Sequence, residues 1–210
     1  MTNDAPPMNA RKARTRAALI AGAQSFLAKG TTNVSIQELT DAAGVGFGSF
    51  YNHFSTKEEL FAAATQATLQ VWSELRDEAV AGLDDPAEIF ARSFRMTGRL
   101  QRRHPEVVRI VLNAGMSVLV TDEGLRPRAV DDLARGIEQG RFTMPDVDMA
   151  LAAAGAALLG MLQFLETHPD ADDAAAADLF AERTLVMLGL DASEARDVAT
   201  RGLPPMPTLD

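Results

Sequence analysis

Residues 35–54, SIQELTDAAGVGFGSFYNHF, hold the densest set of side chains that could do chemistry. None is a nucleophile beside a base, and no His, Asp and Glu stand at metal-ligand spacing. The set is hydroxyls, amides, two glycines and aromatics, groups suited to binding rather than reaction. Gly46 and Gly48 would let a partner come close to the backbone. Phe47 offers the apolar contact that thymine methyls accept, and Ser49 can donate to a base or a phosphate. Tyr51, Asn52, His53 and Lys57 supply hydroxyl, amide, imidazole and ammonium groups for phosphate oxygens. Ser35, Gln37 and, further upstream, Arg14 belong to the same candidate set. Lys57 also opens a helix, whose free N–H groups favour an anion.

The surrounding elements would hold these groups in place. Leu19, Ile20, Ala23, Phe26 and Leu27 recur on one helical face, and the helix closes at Lys29 and Gly30. Ser35 followed by Glu38 is a capping box that starts a short helix over 36–43. Gly44 turns the chain into a third short helix over 46–53. Ile36, Leu39, Ala43, Val45 and Phe50 are spaced to build one small core with the first helix. The pattern is a helix-turn-helix, whose second helix can present its N-terminal end to a major groove.

These residues resemble the DNA-binding signature of the TetR family. The signature stands here as Val45, Gly48, Ser49, Phe50, Tyr51, His53, Phe54, Thr56, Lys57 and Leu60, preceded by Arg16, Leu19, Ile20, Ala23, Phe26 and Gly30. The likeness covers about residues 12–72. One position departs from it: Gly46 stands where the family often has Ser, which removes a side-chain cap and a phosphate contact. The resemblance implies an all-α protein, with an N-terminal three-helix DNA-binding domain and a C-terminal helical domain for dimerisation and ligand binding. It implies a homodimer on a palindromic operator in double-stranded DNA, repressing transcription until a small, mostly apolar effector binds. We place the DNA-binding domain at 9–57, the dimerisation and effector domain at 58–202, and loose tails at 1–8 and 203–210. The alternative from another class is a constitutive DNA-binding adaptor whose C-terminal domain takes a protein partner.

Charge agrees with this division. The chain of 210 residues carries a net charge of −9. Residues 1–57 hold six basic and three acidic groups, so the excess of acid lies wholly in residues 58–210. Such a molecule attracts a polyanion at one end only. Zero Cys removes disulfides and Cys-based zinc sites. No stretch reaches the roughly 18 apolar residues in a row that a membrane span needs, and residues 1–10 lack a secretion-signal pattern. We therefore expect a cytoplasmic protein that does not engage a membrane.

Beyond the signature, periodicity reads as helix: 57–80, 86–103 capped by Asp85 with Pro86 at the first position, 106–113, 129–139, 147–167, 174–188 and a last short helix capped by Asp191. Residues 115–128 read as a helix end and connector. The helix over 147–167 is expected to be buried. The resemblance implies that it and the helix over 174–188 form the dimer's four-helix bundle, a role that its Ala and Gly, which let helices approach closely, would suit. A ligand pocket would gather large soft side chains: Trp72, Phe90, Phe94, Met96, Leu100, Met116, Leu119, Met161 and Phe164. His53, His104 and His168 are scattered, so no metal is expected. No phosphate loop, nucleophile elbow or HExxH motif is present, so neither a cofactor nor enzymatic activity is expected.

Overall fold

The computed structural model describes residues 8–119 and 125–205. The described residues form ten α-helices and one 3-10 turn, with no strand among them. The chain divides into two compact units, Met1–Thr68 and Leu69–Asp210.

The first unit contains α1 (Met8–Leu27), α2 (Ile36–Ala42), α3 (Phe47–Phe50) and the start of α4 (Lys57–Val80). Its core is Leu19, Ala23, Leu39, Phe50, Phe54, Leu60, Phe61 and Ala64. Full burial of Phe50 alone contributes about 1.5–3 kcal/mol. The unit extends past residue 57, where the sequence reading ended it, because Leu60, Phe61 and Ala64 of α4 complete its core. Ser35 caps α2 with both halves of the capping box in place. Gly44 sits at φ +63, a left-handed turn that only glycine takes without strain.

The second unit contains the rest of α4, α5 (Pro86–Arg103), α6 (Pro105–Ala114), a 3-10 turn (Gly115–Leu119), α7 (Leu125–Glu138), α8 (Val147–Thr167), α9 (Asp173–Leu188) and α10 (Ala192–Thr200). Asp85 accepts from the Ala87 N–H with Pro86 in the first turn, as expected. Helix α5 lies close on α9: a Cβ on Gly98 would stand 2.7 Å from the Ala177 Cβ. Arg102 of α5 donates to the carbonyls of Leu165, His168 and Ala171, satisfying orphan acceptors where α8 ends.

Two expectations need correction. Helix α7 begins at Leu125, not at 129, because Pro127 falls in its first turn, where a missing N–H costs nothing. Helix α8 has the expected ends but is not buried all round. By length and composition it could cross a membrane. Its Leu151, Met161, Leu162 and Leu165 instead lie in the core, while Met149, Ala152, Ala156, Gly160 and Phe164 are exposed. Of the expected tails, residues 1–7 and 206–210 lie outside the described residues.

Candidate functional site

Two sites emerge, one in each unit. The first is the tip formed by α2, the Gly44 turn and α3. The Val45 N–H returns to the Thr40 carbonyl at 3.0 Å, closing the turn. Gly46 is the N-cap of α3 and has no side chain to cap with, as the departure from Ser implied. A Cβ built on Gly48 would meet nothing within 4 Å, and one on Gly46 only the Ser49 hydroxyl at 4.0 Å. The fold's own packing therefore does not demand these two glycines. Phe47 and Tyr51 are 48% and 57% exposed, with their rings edge to face at 5.9 Å. Tyr51 also packs edge-on against the buried Phe50, which anchors it. Ser49 and His53 are half-buried and Asn52 is exposed. Burial, then the charges of Lys12 and Arg16, pushes His53 below its ordinary range, so it stands neutral at neutral pH.

Other members of the set are already engaged within the protein. Ser35 Oγ and N–H both donate to Glu38, and these bonds hold the Glu38 carboxyl below its ordinary range. Gln37 Nε2 donates to Asp41 at 2.6 Å. Lys57 Nζ donates to the Val34 carbonyl at 3.2 Å, tying α4 to the connector before α2. The start of α4 is less open to an anion than its sequence implied. The Thr56 hydroxyl takes the Glu59 N–H, and Glu59 folds back onto the Ser55 N–H.

Sequence reasoning picked out Arg14 and missed its neighbour. Arg11 and Arg14 line an open groove of about 490 Å³ with Gly44 and Val45. Arg11, Lys12 and Arg14 are exposed and form no ion pair among the described residues. Their spacing along α1 was the available signal. The tip thus combines free cations, an exposed aromatic pair and backbone open to close approach.

The second site is a cavity of about 120 Å³ inside the second unit, walled by parts of α4, α5, α7 and α8 and by Phe142. Of the residues expected to line a ligand pocket, Trp72, Phe90 and Phe94 lie on its wall. Met96 and Leu100 line a smaller hollow that also touches Trp72. Met116, Met161 and Phe164 do not line the cavity. Met161 is fully buried in the core; Met116 is 45% exposed; Phe164 points outward and stacks on His168 at 4.4 Å. The side chain of Leu119 lies outside the described residues. The wall also includes residues that periodicity did not single out: Phe142, Leu133, Leu151, Ala154, Gly155 and Leu158, with Ser93, Thr97 and the charged groups Arg76, Arg128 and Asp132.

The charged residues form a chain of ion pairs. Arg76 bonds Asp132 and, at 2.8 Å, Asp77; Arg128 reaches Asp77 at 2.7 Å; Arg135 reaches Asp132 at 3.0 Å. Burial lifts the Asp132 carboxyl above its ordinary range despite Arg76 and Arg135. Partial burial of Asp77 acts the same way, but the hydrogen bonds from Arg76 and Arg128 outweigh it and hold that carboxyl low. Trp72 Nε1 donates to the Thr97 hydroxyl at 3.1 Å.

Helices α8 and α9 also leave apolar surface uncovered. Met149 and Phe164 on α8, and Leu179, Val186 and Met187 on α9, are all exposed, and a Cβ on Gly160 would meet nothing.

Comparison with known proteins accounts for both units. Residues 18–64 match the family model of bacterial regulatory proteins of the tetR family, and residues 85–201 match the tetracyclin repressor-like C-terminal domain. The HTH-type transcriptional repressor KstR2 of Mycobacterium tuberculosis is 29% identical over 143 residues, which is 61% of this chain and 68% of that protein. The repressor DhaR of a Mycobacterium species (strain GP1) is 39% identical over 64 residues, 30% of this chain and 31% of its own. The crystal structure of RolR with its ligand resorcinol has 33% identity and a TM-score of 0.67, covering 94% of this chain and 98% of that one.

Proposed function

The chain belongs to the TetR family of DNA-binding transcriptional regulators, and from that premise we propose that it is a ligand-responsive repressor holding a palindromic operator as a homodimer. The observation that carries the DNA side is the α2–α3 tip, where Phe47 and Tyr51 stand exposed above two glycines that internal packing leaves unexplained. Phe47, Gly46, Gly48 and Ser49 approach base edges, while Tyr51, Asn52, His53, Arg14 and Arg11 hold phosphates. Ser35, Gln37 and Lys57 border this surface and steady it through their internal bonds.

Dimerisation uses the uncovered faces of α8 and α9, whose small residues permit the close helix approach of a four-helix bundle. Two recognition helices then meet successive major grooves about 34 Å apart. The apolar cavity supports the small-molecule reading over the adaptor reading, and RolR's crystallisation with resorcinol agrees with it. Helix α4 carries Leu60 and Phe61 in one core and Leu69 and Trp72 in the other, so it is the element through which a ligand shifts the DNA-binding population. A coupling of about 1–3 kcal/mol suffices for release.

The test is selection of genomic fragments by the purified protein, with Phe47→Ala/Tyr51→Ala beside it. Enrichment of a short inverted repeat by the wild type alone supports the reading. Equal enrichment by both proteins, or none by a folded wild type, refutes it.

A further inference from the structure

We propose that the cavity of the second unit takes a single-ring phenol, its ring against Trp72, Phe94 and Phe142 and its hydroxyl donating to the Asp132 carboxylate. The inference rests on the ligand-responsive reading above and names the ligand class for that site.

Size comes first. The cavity holds about 120 Å³, and an engineered protein cavity of ~150 Å³ lined by apolar side chains binds benzene. One six-membered ring fits. Shape agrees, because Phe90 stands 5.6 Å from Phe94 and 6.4 Å edge-on from Phe142, leaving aromatic walls to flank a flat guest.

Polar chemistry then selects the substituent. Trp72 spends its only donor on Thr97, and Ser93 donates to the Ile89 carbonyl at 2.8 Å. The wall's two guanidinium groups are tethered, Arg76 to Asp77 and Asp132, and Arg128 to Asp77 through Nε. What remains is acceptor capacity on Asp132 and, on Arg128, the terminal N–H groups that its Nε bond to Asp77 leaves unspent. A carboxylate offers about four lone-pair sites, and Asp132 receives one bond on each oxygen, from Arg76 and Arg135. A guest that both donates and accepts can use both. A neutral hydroxyl on the ring does so, donating to Asp132 and accepting from Arg128, whereas a carboxylate guest has no donor for Asp132. Loss of a hydrogen bond to a charged acceptor weakens binding about 10- to 100-fold.

Trp72 is the sole tryptophan and lines the cavity, so its fluorescence reports occupancy directly. The full-length protein is titrated with phenol, resorcinol, toluene and benzoate, beside Asp132→Asn and the cavity-filling Ala154→Leu. Phenol and resorcinol bind about 10- to 100-fold more tightly than toluene, and more tightly than benzoate, which cannot donate to Asp132. Asp132→Asn brings phenol to within about threefold of toluene while toluene binding is retained, which shows the cavity intact. Ala154→Leu loses all probes. Equal binding of phenol and toluene, an undiminished phenol preference in Asp132→Asn, or binding of benzoate as tight as phenol overturns the proposal. Failure of every probe also overturns it, and operator binding by the same sample then separates the two claims. A protein that still binds its selected fragment loses only the ligand class; one that binds none loses the regulator reading as well.

Discussion

Glycines 44 and 48 separate what the fold needs from what the partner needs, and replacing each with alanine tests both. Gly44 has φ +63 with open space around its Cα. Gly44→Ala therefore meets no steric neighbour, and its whole cost is the left-handed backbone, about 1–2 kcal/mol. In a unit of this size that lowers the melting temperature by about 4–8 °C per kcal/mol. Gly48 lies within α3 at an ordinary helical conformation, and its added methyl also meets nothing. Gly48→Ala should cost no stability and gain up to about 1 kcal/mol of helix propensity. Against DNA the order reverses. A methyl forced into a close contact costs about 1–3 kcal/mol, a loss of about 5- to 150-fold in operator affinity. Denaturation by urea followed by circular dichroism gives the first pair of numbers, and fluorescence anisotropy on the selected fragment gives the second. If Gly48→Ala binds the operator like the wild type, the tip of α3 is not in close contact with DNA. If Gly44→Ala is as stable as the wild type, the backbone argument for the turn is wrong.

Other outcomes follow from the same geometry. Arg14→Ala should weaken binding to all sequences and reduce the salt slope of log affinity by about 1, whereas Phe47→Ala should change base preference and leave the slope alone; salt titrations on two unrelated duplexes distinguish them. Leu179→Arg with Met187→Arg, both on the exposed face of α9, should yield a folded monomer in sedimentation velocity, and a persisting dimer would place the interface elsewhere. His53 has its folded pKa lowered by burial and by Lys12 and Arg16. The unfolded chain therefore binds the proton more readily, so stability is full above the ordinary value of 6.5 and falls as pH drops from there toward the folded pKa. His53→Gln should remove that part of the pH dependence, measured as the difference between urea midpoints near neutral pH and on the acid side.

How far the sequence was legible depended on whether a feature is local. The Ser35–Glu38 capping box, the Asp85–Pro86 helix start and the Asp191 cap are each completed within four residues, so the chain alone announces them. The helix-turn-helix tip is nearly as local, since Leu19, Leu39 and Phe50 form its core from one short stretch. The cavity is not local. Asp132 and Arg76 meet across 56 residues of sequence, and Phe142 reaches the wall from the segment between α7 and α8. Periodicity found Trp72, Phe90 and Phe94 because they are large, but it also offered Met116 and Phe164, since it shows a helix's apolar side and not what covers it. The polar members of the wall carried no hydrophobic signal at all. The same limit explains α8: periodicity placed it at 147–167, where the structure has it, while its exposed face depends on which helices pack against it.

The most direct test of the central claim is a hydroxyl-radical footprint on a fragment selected by the wild-type protein. A dimer reading successive major grooves predicts two protected patches related by a dyad and spaced about one helical turn, roughly 34 Å, with both lost in Phe47→Ala/Tyr51→Ala. A single patch, or continuous protection that ignores sequence and survives the double substitution, would contradict it.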